Sequence, residues 1–156
     1  RASCPIGARP YHDAMVAELF LSTVMVLATV CIHATGLFAL SRLLRLEERE
    51  ERREHIHPLS RRGMVATLIV SIGLFVLHGI EIWLYAVVYL AIGSVEGLRE
   101  AVYFSTITYG AIGYSDAAMA EQWRLVSAIE GINGIILIGW STAFFVTLMA
   151  RLRHRP

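Results

Sequence analysis

The 156-residue chain contains no lysine, only two cysteines and none of the motifs that mark common enzymes. All fourteen basic residues are arginine, which we interpret as a feature of genome composition rather than of function. The chain has no basic face with interleaved aromatic residues, and this argues against nucleic acid as a partner. It also has no glycine-rich phosphate loop and no nucleophile elbow, so the sequence does not indicate an enzyme.

Apolar residues, by contrast, are abundant. They make up 56% of the chain, and the mean hydropathy is +0.56. These values are too high for a typical soluble domain, so we expect an integral membrane protein whose partner is a lipid bilayer. Cys4 lies in a polar segment and Cys31 lies deep in an apolar one, so an internal disulfide would have to join different membrane depths, and we expect none.

Three long apolar segments predict three transmembrane helices, at 14–46, 63–93 and 121–150. Each exceeds the ~20 residues that a helix needs to cross a bilayer. The other predicted segments are an N-terminal segment, a charged helical extension with its loop, a short helix with a loop, and a tail: 1–13, 47–62, 94–120 and 151–156.

The arginines predict the orientation of the chain. Seven lie between Arg42 and Arg62 and three in the tail, whereas four remain for the other side. The positive-inside rule therefore places the charged loop and the C-terminus in the cytoplasm, and three spans then place the N-terminus and segment 94–120 outside. We expect a multi-pass protein of a bacterial inner membrane. Neither of the first two spans carries an arginine at every third position, and we expect no soluble regulatory domain after Pro156, so we expect gating neither by voltage nor by a nucleotide-binding tail.

The most informative motif lies between the second and third spans. Residues Val95–Thr106 predict a short helix entering the membrane, with Ser94 as its N-cap and Glu96 in its first turn. The run that follows is Gly110-Ala-Ile-Gly-Tyr-Ser-Asp116. It resembles the selectivity filter of potassium channels, TTVGYGD. The resemblance extends from Leu98 to Met149, about a third of the chain.

In the potassium-channel family, one such loop from each of four subunits supplies the backbone carbonyls that replace the hydration shell of the ion. The resemblance therefore implies an all-α membrane protein with three transmembrane helices, a re-entrant pore helix and a filter loop per subunit. It also implies a homotetramer around one central pore. Potassium or another monovalent cation in the filter would be the bound ion, and we expect no cofactor.

The resemblance also implies roles for individual residues. The ion-coordinating filter would comprise Ala111, Ile112, Gly113, Tyr114 and Ser115. Asp116 would lie at the pore mouth. Support for the filter is expected from Thr106, Thr108, Tyr109 and Glu130. Glycines in the last span, at the spacing of a hinge, are Gly134 and Gly139.

Three positions depart from the family's filter. Gly110 and Ala111 stand in place of threonines, so each subunit loses a hydroxyl ligand at the innermost ion site. Ser115 stands in place of a glycine that commonly needs positive φ, which costs roughly 1–2 kcal/mol per chain for another residue. We therefore predict a cation channel that prefers potassium but has relaxed selectivity.

Several polar residues lie within the predicted spans, where an ionisable group is usually paired or functional. His78 and Glu81 are one helical turn apart and share a face. Glu18 and His33 lie in the first span, and we group these four residues as either a polar network between helices or a pH sensor, because histidine titrates near neutral pH. Glu130 is expected to accept hydrogen bonds from filter amides, Thr106 or Tyr109.

Two alternative functions use other features of the same chain. The first is a pore-like membrane module that no longer conducts, which the departures in the filter favour. The second is a membrane protein that binds haem or a metal through His33 and His78, with Glu81 as a further metal ligand. The aromatic residues near the loop are interpreted as packing or interfacial residues: Trp83, Tyr85, Tyr89 and Tyr103.

Overall fold

The structure, a computed structural model, describes residues 8–50, 61–113 and 119–153, and the side chains of 13–44, 64–113 and 119–150. The described residues form four α-helices and one turn of 3-10 helix, with no strand among them. The helices are α1 (Ala8–Glu50), α2 (Arg61–Ala91), α3 (Leu98–Tyr109) and α4 (Arg124–Arg153), and the 3-10 turn is Glu121–Trp123. The predicted all-α class is confirmed.

Three of these helices are long and apolar enough to cross a membrane, at Asp13–Leu44, Met64–Ala91 and Glu121–Ala150. Large apolar side chains remain exposed along them, and that of Phe75 is 85% exposed. Such exposure is costly in water but not in a bilayer, where lipid tails are as apolar as the side chains. The chain is therefore an integral membrane protein that contacts lipid.

The chain divides into two compact units. The first unit consists of the described residues of Arg1–Ala28 together with Ile82–Ile135. The second unit consists of the described residues of Thr29–Glu81 and of Ile136–Pro156. Parts of α1, α2 and α4 belong to each unit, whereas α3 lies wholly in the first.

In the second unit, α1 and α2 pack through two reciprocal glycine contacts. A Cβ added to Gly36 of α1 would lie 2.5 Å from Cδ1 of Leu77, and one added to Gly73 of α2 would lie 2.7 Å from Cδ1 of Leu40. Each glycine thus makes room for a leucine of the other helix. The two contacts are four residues apart on each helix, as expected for the facing sides of packed helices.

In the first unit, α3 packs against α2 and α4. Tyr85 and Tyr89 of α2, Phe104 of α3 and Val126 of α4 are buried in one apolar cluster. With 12 residues, α3 is about 18 Å long. It is too short to cross the ~30 Å hydrocarbon core of a bilayer.

The start of α3 differs from the prediction. The helix begins at Leu98, its N-cap is Gly97 with φ 86°, and the acidic residue of its first turn is Glu100. Ser94, the predicted N-cap, instead donates its hydroxyl to the carbonyl oxygen of Tyr89 at 3.0 Å. The prediction was wrong because glycines at positive φ after α2 allow a turn there and delay the helix by about one turn.

Candidate functional site

The loop after α3 begins with a tightly bonded helix cap. The amide of Ala111 donates to the carbonyl oxygen of Thr108 at 2.9 Å, and the amide of Ile112 donates to that of Ile107 at 2.8 Å. Ala111 has φ 54°. This pair of bonds around one left-handed residue is the Schellman motif, in which the left-handed position is usually glycine. Alanine at this position costs roughly 1–2 kcal/mol relative to a right-handed conformation.

The first four residues of the filter-like run, Gly110–Gly113, are exposed on the single chain. Ile112, for example, is 55% exposed although it is apolar. Gly113 has φ 50°, and its amide donates to the carbonyl oxygen of Ile107 at 3.0 Å. The other predicted filter and pore-mouth residues lie outside the described residues: Tyr114, Ser115 and Asp116.

Two glycines of α4 lie against the backbone at the end of α3. A Cβ added to Gly134 would lie 2.1 Å from the carbonyl oxygen of Tyr109, and one added to Gly131 would lie 3.3 Å from that of Thr108. Gly134 is therefore a point of close approach between backbones, where any side chain would collide. A Cβ on Gly139 would meet no atom within 4 Å. Helix α4 runs without interruption through all three positions.

Besides the two glycines, the side chain of Glu130 of α4 also contacts α3. Its side chain is fully buried, as are those of Tyr89 and Ser105. The hydroxyl of Ser105 donates to Oε1 of Glu130 at 2.5 Å, and the hydroxyl of Tyr89 donates to Oε2. The Ser105 hydroxyl also lies 3.0 Å from the carbonyl oxygen of Ile82. The carboxylate therefore joins α2, α3 and α4 through two neutral donors.

These partners differ from those predicted for Glu130. Thr106 donates its hydroxyl to the carbonyl oxygen of Val102, one turn earlier in its own helix. Thr108 and Tyr109 contact the site through their backbone, at the helix cap and at Gly134. Next to Glu130 on α4, Asn133 donates to the hydroxyl of Tyr85 at 3.3 Å.

Glu18 joins two helices, α1 and α4, as the predicted polar network between helices requires. Its Oε1 accepts a hydrogen bond from the amide of Leu125 at 3.1 Å. Leu125 is the second residue of α4, where the backbone amides have no partner within the helix. A carboxylate there also interacts favourably with the positive end of the helix dipole. Glu18 therefore caps α4 and is not grouped with the histidines.

In the second unit, the predicted pair of His78 and Glu81 is formed, and a residue of α1 joins it. His78 Nδ1 lies 3.2 Å from Oε2 of Glu81, and His33 Nδ1 lies 2.9 Å from Oε1 of the same carboxylate. On its other side, His33 Nε2 lies 3.3 Å from the hydroxyl oxygen of Ser141 on α4. The arrangement is a carboxylate between two imidazoles.

This geometry argues against His33 and His78 as the two axial ligands of a haem. Their ring centroids are 5.4 Å apart, and both Nδ1 atoms face one carboxylate. Axial ligands must lie on opposite faces of a macrocycle with the iron between them. The two rings leave no room for a macrocycle between them.

The sequence-based prediction missed two residues of these sites and assigned a different role to a third. Tyr89 was interpreted as a packing or interfacial aromatic residue, and Ser105 and Ser141 were not singled out. Each is a partner across helices, to Glu130 or to His33, at 25 to 108 positions along the chain. The sequence did indicate that a carboxylate within an apolar span needs hydrogen-bond donors. It did not indicate which residues supply them.

A family model described as an ion channel matches residues 64–151, which are 88 of the 156 residues. The match covers α3, the loop and most of α2 and α4. No curated protein and no solved structure matches the chain.

Proposed function

Because the chain belongs to the ion channel family and has a potassium-channel-like pore-loop segment, we propose that it is one subunit of a homotetrameric cation channel. Ions cross passively, with potassium preferred and selectivity relaxed. The filter holds potassium or another monovalent cation during conduction, and no catalytic step is involved.

The observation that carries this proposal is the way in which α3 ends. Its last turn is closed by the cap at Ala111, and Gly134 contacts the backbone of Tyr109. Glu130 is bonded to Ser105 one turn further back. A short helix that cannot cross the bilayer is thus fixed so that its C-terminus, the negative end of its dipole, leads directly into the filter-like run. Such an arrangement suits a site for cations.

Assembly from four chains is supported by the exposure of that run. One loop can supply only part of a ring of carbonyls around an ion. Gly110–Gly113 are exposed on the single chain, and irregular backbone at membrane depth is tolerated only inside protein or along a water-filled cavity. Copies of the same loop around an axis provide both the cover and the missing ligands.

Relaxed selectivity is proposed from the residues at the inner end of the run. Ala111 offers no side-chain oxygen, so a ring of four hydroxyls is missing from the innermost site. Selectivity is a difference between the free energies of two ions in the same sites, and about 1.4 kcal/mol in that difference changes their ratio tenfold. The loss of a ring of four hydroxyl ligands is enough to change this free-energy difference by an amount of that size.

We further propose that the protein lies in a bacterial inner membrane with the charged loop and the C-terminus in the cytoplasm. The concentration of arginine in 42–62 and in the tail supports this orientation. It places the filter-like run at the outer end of the pore.

The test is ion flux into liposomes that contain the purified protein, with potassium, rubidium and sodium compared. We expect potassium and rubidium flux, with measurable sodium flux. Gly113→Ala should reduce the flux, because it places a Cβ at φ 50°. The matched control Gly79→Ala, whose Cβ would meet no atom within 4 Å, should conduct like the parent.

Two results would contradict the proposal. A native mass that corresponds to a monomer or a trimer in mild detergent is incompatible with one loop per chain around a four-fold axis. A tetramer with no flux of any of the three ions would instead support the alternative of a pore-like module that does not conduct.

A further inference from the structure

The cluster of His33, His78 and Glu81 in the second unit has no part in the proposed conduction pathway. Each residue offers one ligand atom, and the three atoms lie within 4.8 Å of one another. Two helices supply them, His33 from α1 and the other two from adjacent turns of one face of α2. Among the described residues, this is the one group of three or more such side chains that is close enough to hold a metal ion.

The packing of α1 against α2 explains why these atoms meet. His33 lies three residues before Gly36 on α1, and Glu81 lies four residues after Leu77 on α2, so the cluster continues the seam made by Gly36 and Leu77. Its position is therefore set by backbone packing and not by the flexibility of long side chains. A ligand set placed in this way needs little reorganisation when an ion arrives.

The distances fit a small divalent cation. Ligand atoms about 2.1 Å from a tetrahedral zinc ion are about 3.4 Å from one another. The two imidazole nitrogens lie 2.9 and 3.2 Å from the carboxylate oxygens that they face. The ligand nitrogens of the two imidazoles are at most 4.8 Å apart, so an ion that binds all three groups draws these two nitrogens closer together.

Ser141 provides the outer hydrogen bond that a metal-binding histidine usually makes. Its hydroxyl oxygen lies 3.3 Å from Nε2 of His33, on the side of the ring away from Glu81. In the metal-bound form, Nε2 carries the proton and donates it to Ser141, so that the lone pair of Nδ1 is directed at the metal. Such a partner fixes both the tautomer and the orientation of the ring.

Of the three side chains, that of His78 is the one that is partly exposed. The side chains of His33 and Glu81 are fully buried, whereas that of His78 is 19% exposed. The carboxylate of Glu81 offsets part of the charge of the ion in surroundings where an unpaired charge is costly.

We propose that His33, His78 and Glu81 bind one zinc-like divalent transition-metal ion per chain. Two imidazoles and one carboxylate are a ligand set that suits zinc and its neighbours, and they leave a fourth position for water. The bound ion joins α1 to α2 through side chains of both helices. It thereby restrains any movement of one helix against the other in the second unit.

The experiment uses the full chain, purified without a histidine tag and freed of metal with a chelator. Zinc binding is measured by titration against a chromophoric chelator, and cobalt(II) is then used as a visible probe of tetrahedral geometry. A background variant in which His12, His55, His57 and His154 are all replaced by glutamine removes the other imidazoles. We expect the parent and this background variant to bind one zinc ion per chain.

Substitutions at the site should weaken zinc binding by different amounts. In the background variant, His78→Gln and Glu81→Gln should each weaken binding by more than the roughly 10–100-fold that loss of an outer partner costs. Ser141→Ala removes such an outer partner and should weaken binding by roughly tenfold. Glu130→Gln, which changes a fully buried carboxylate of the first unit, should leave zinc affinity unchanged.

Two readouts distinguish a true site from loss of the fold. Zinc should raise the unfolding temperature of the parent but not that of His78→Gln, and helical content should be equal in the two proteins. The proposal is overturned if zinc binding disappears in the background variant or survives Glu81→Gln. It is equally overturned if the parent binds no zinc at micromolar free metal. Because no ion flux is measured, the outcome is independent of whether the protein conducts.

Discussion

The two units each bury a glutamate completely, and the two glutamates have different partners. Glu130 in the first unit receives hydrogen bonds from the hydroxyls of Tyr89 and Ser105. Glu81 in the second unit faces the imidazoles of His33 and His78. Both lie in helices that cross the membrane, where a carboxylate is retained only with partners.

The two glutamates differ in whether their partners can bind a proton or a metal ion near neutral pH. A serine or tyrosine hydroxyl near neutral pH only donates or accepts a hydrogen bond, so Glu130 is suited to holding three helices in one arrangement. An imidazole can also bind a proton or a metal ion. Burial of a carboxylate therefore does not by itself indicate a functional group that responds to conditions. The chemistry of its partners decides between a fixed support and a responsive site.

The largest expected effect comes from removing each carboxylate in turn. Glu130→Leu leaves the fully buried hydroxyl of Tyr89 without its acceptor, at roughly 1–3 kcal/mol, and leaves Ser105 only the carbonyl oxygen of Ile82, so the free energy of unfolding should fall by about 3 kcal/mol. Glu81→Leu should cost about 2 kcal/mol, because His33 keeps Ser141 and His78 is partly exposed. Denaturant titration in mixed micelles measures both.

Glu130→Gln serves as the control for shape, since its amide oxygen can still accept one hydroxyl, and it should lose only about 1 kcal/mol. Equal losses for Glu130→Leu and Glu81→Leu would remove the distinction between the two units.

A second test uses the glycines of the two units. In the first unit, Gly134→Ala places a Cβ 2.1 Å from the carbonyl oxygen of Tyr109. Backbone cannot move aside as a side chain can, so we expect a loss of about 3 kcal/mol in the free energy of unfolding. Gly139→Ala in the same helix meets nothing within 4 Å, and it should be neutral or stabilising by up to about 1 kcal/mol. Similar stability for the two variants would mean that α3 does not end against Gly134.

The glycines of the second unit should be more tolerant. A Cβ at Gly36 or Gly73 meets the end of a leucine side chain, which can change rotamer. We expect each alanine variant to lose no more than about 1 kcal/mol, because overpacking is partly offset by the higher helix propensity of alanine. Thermal unfolding of Gly36→Ala beside Gly134→Ala makes the comparison. A loss at Gly36 as large as that at Gly134 would show that the leucine has no alternative rotamer.

The smallest effect is expected at the helix cap of the first unit. Ala111→Gly should stabilise the protein by about 0.5–1 kcal/mol, since glycine accepts the left-handed conformation that alanine adopts there. Ala111→Thr restores the hydroxyl of the family's filter but places a β-branched residue at φ 54°, so it should be less stable than the parent. The order glycine, alanine, threonine in unfolding temperature is the check, and a reversed order would rule out the cap at this residue.

Much of the fold is accessible from the sequence, because hydropathy and length locate three spans. The apolar residues before the filter-like run also predict a short helix between the last two spans. The filter-like run is accessible too, because it is contiguous. The start of α3 was misplaced, since Gly93 and Gly97 both adopt positive φ, and this choice between helix and turn depends on packing rather than on local preference. Within the described loop, the residue other than glycine that has positive φ is Ala111, which sequence rules do not favour for that conformation.

The polar sites could be predicted from the sequence only in part. His78 and Glu81 are three residues apart on one helix, so their pairing follows from helical geometry. The addition of His33 depends on which face α1 presents to α2, which the Gly36 and Gly73 contacts decide. For Glu130, the sequence predicts that donors are needed but not that Tyr89 and Ser105 supply them, because both lie on other helices.

The contact between Gly134 and Tyr109 has a mechanical consequence. At this level the two backbones touch without intervening side chains, so no soft layer can absorb a displacement of one against the other. A bend or twist of α4 at Gly134 must either carry the carbonyl of Tyr109 with it or separate the two surfaces. The amides of Ala111, Ile112 and Gly113 donate hydrogen bonds to the carbonyl oxygens of Thr108 and Ile107. These bonds would pass such a displacement on to Gly113. Helix α4 and the loop are thus mechanically coupled for as long as this contact is kept.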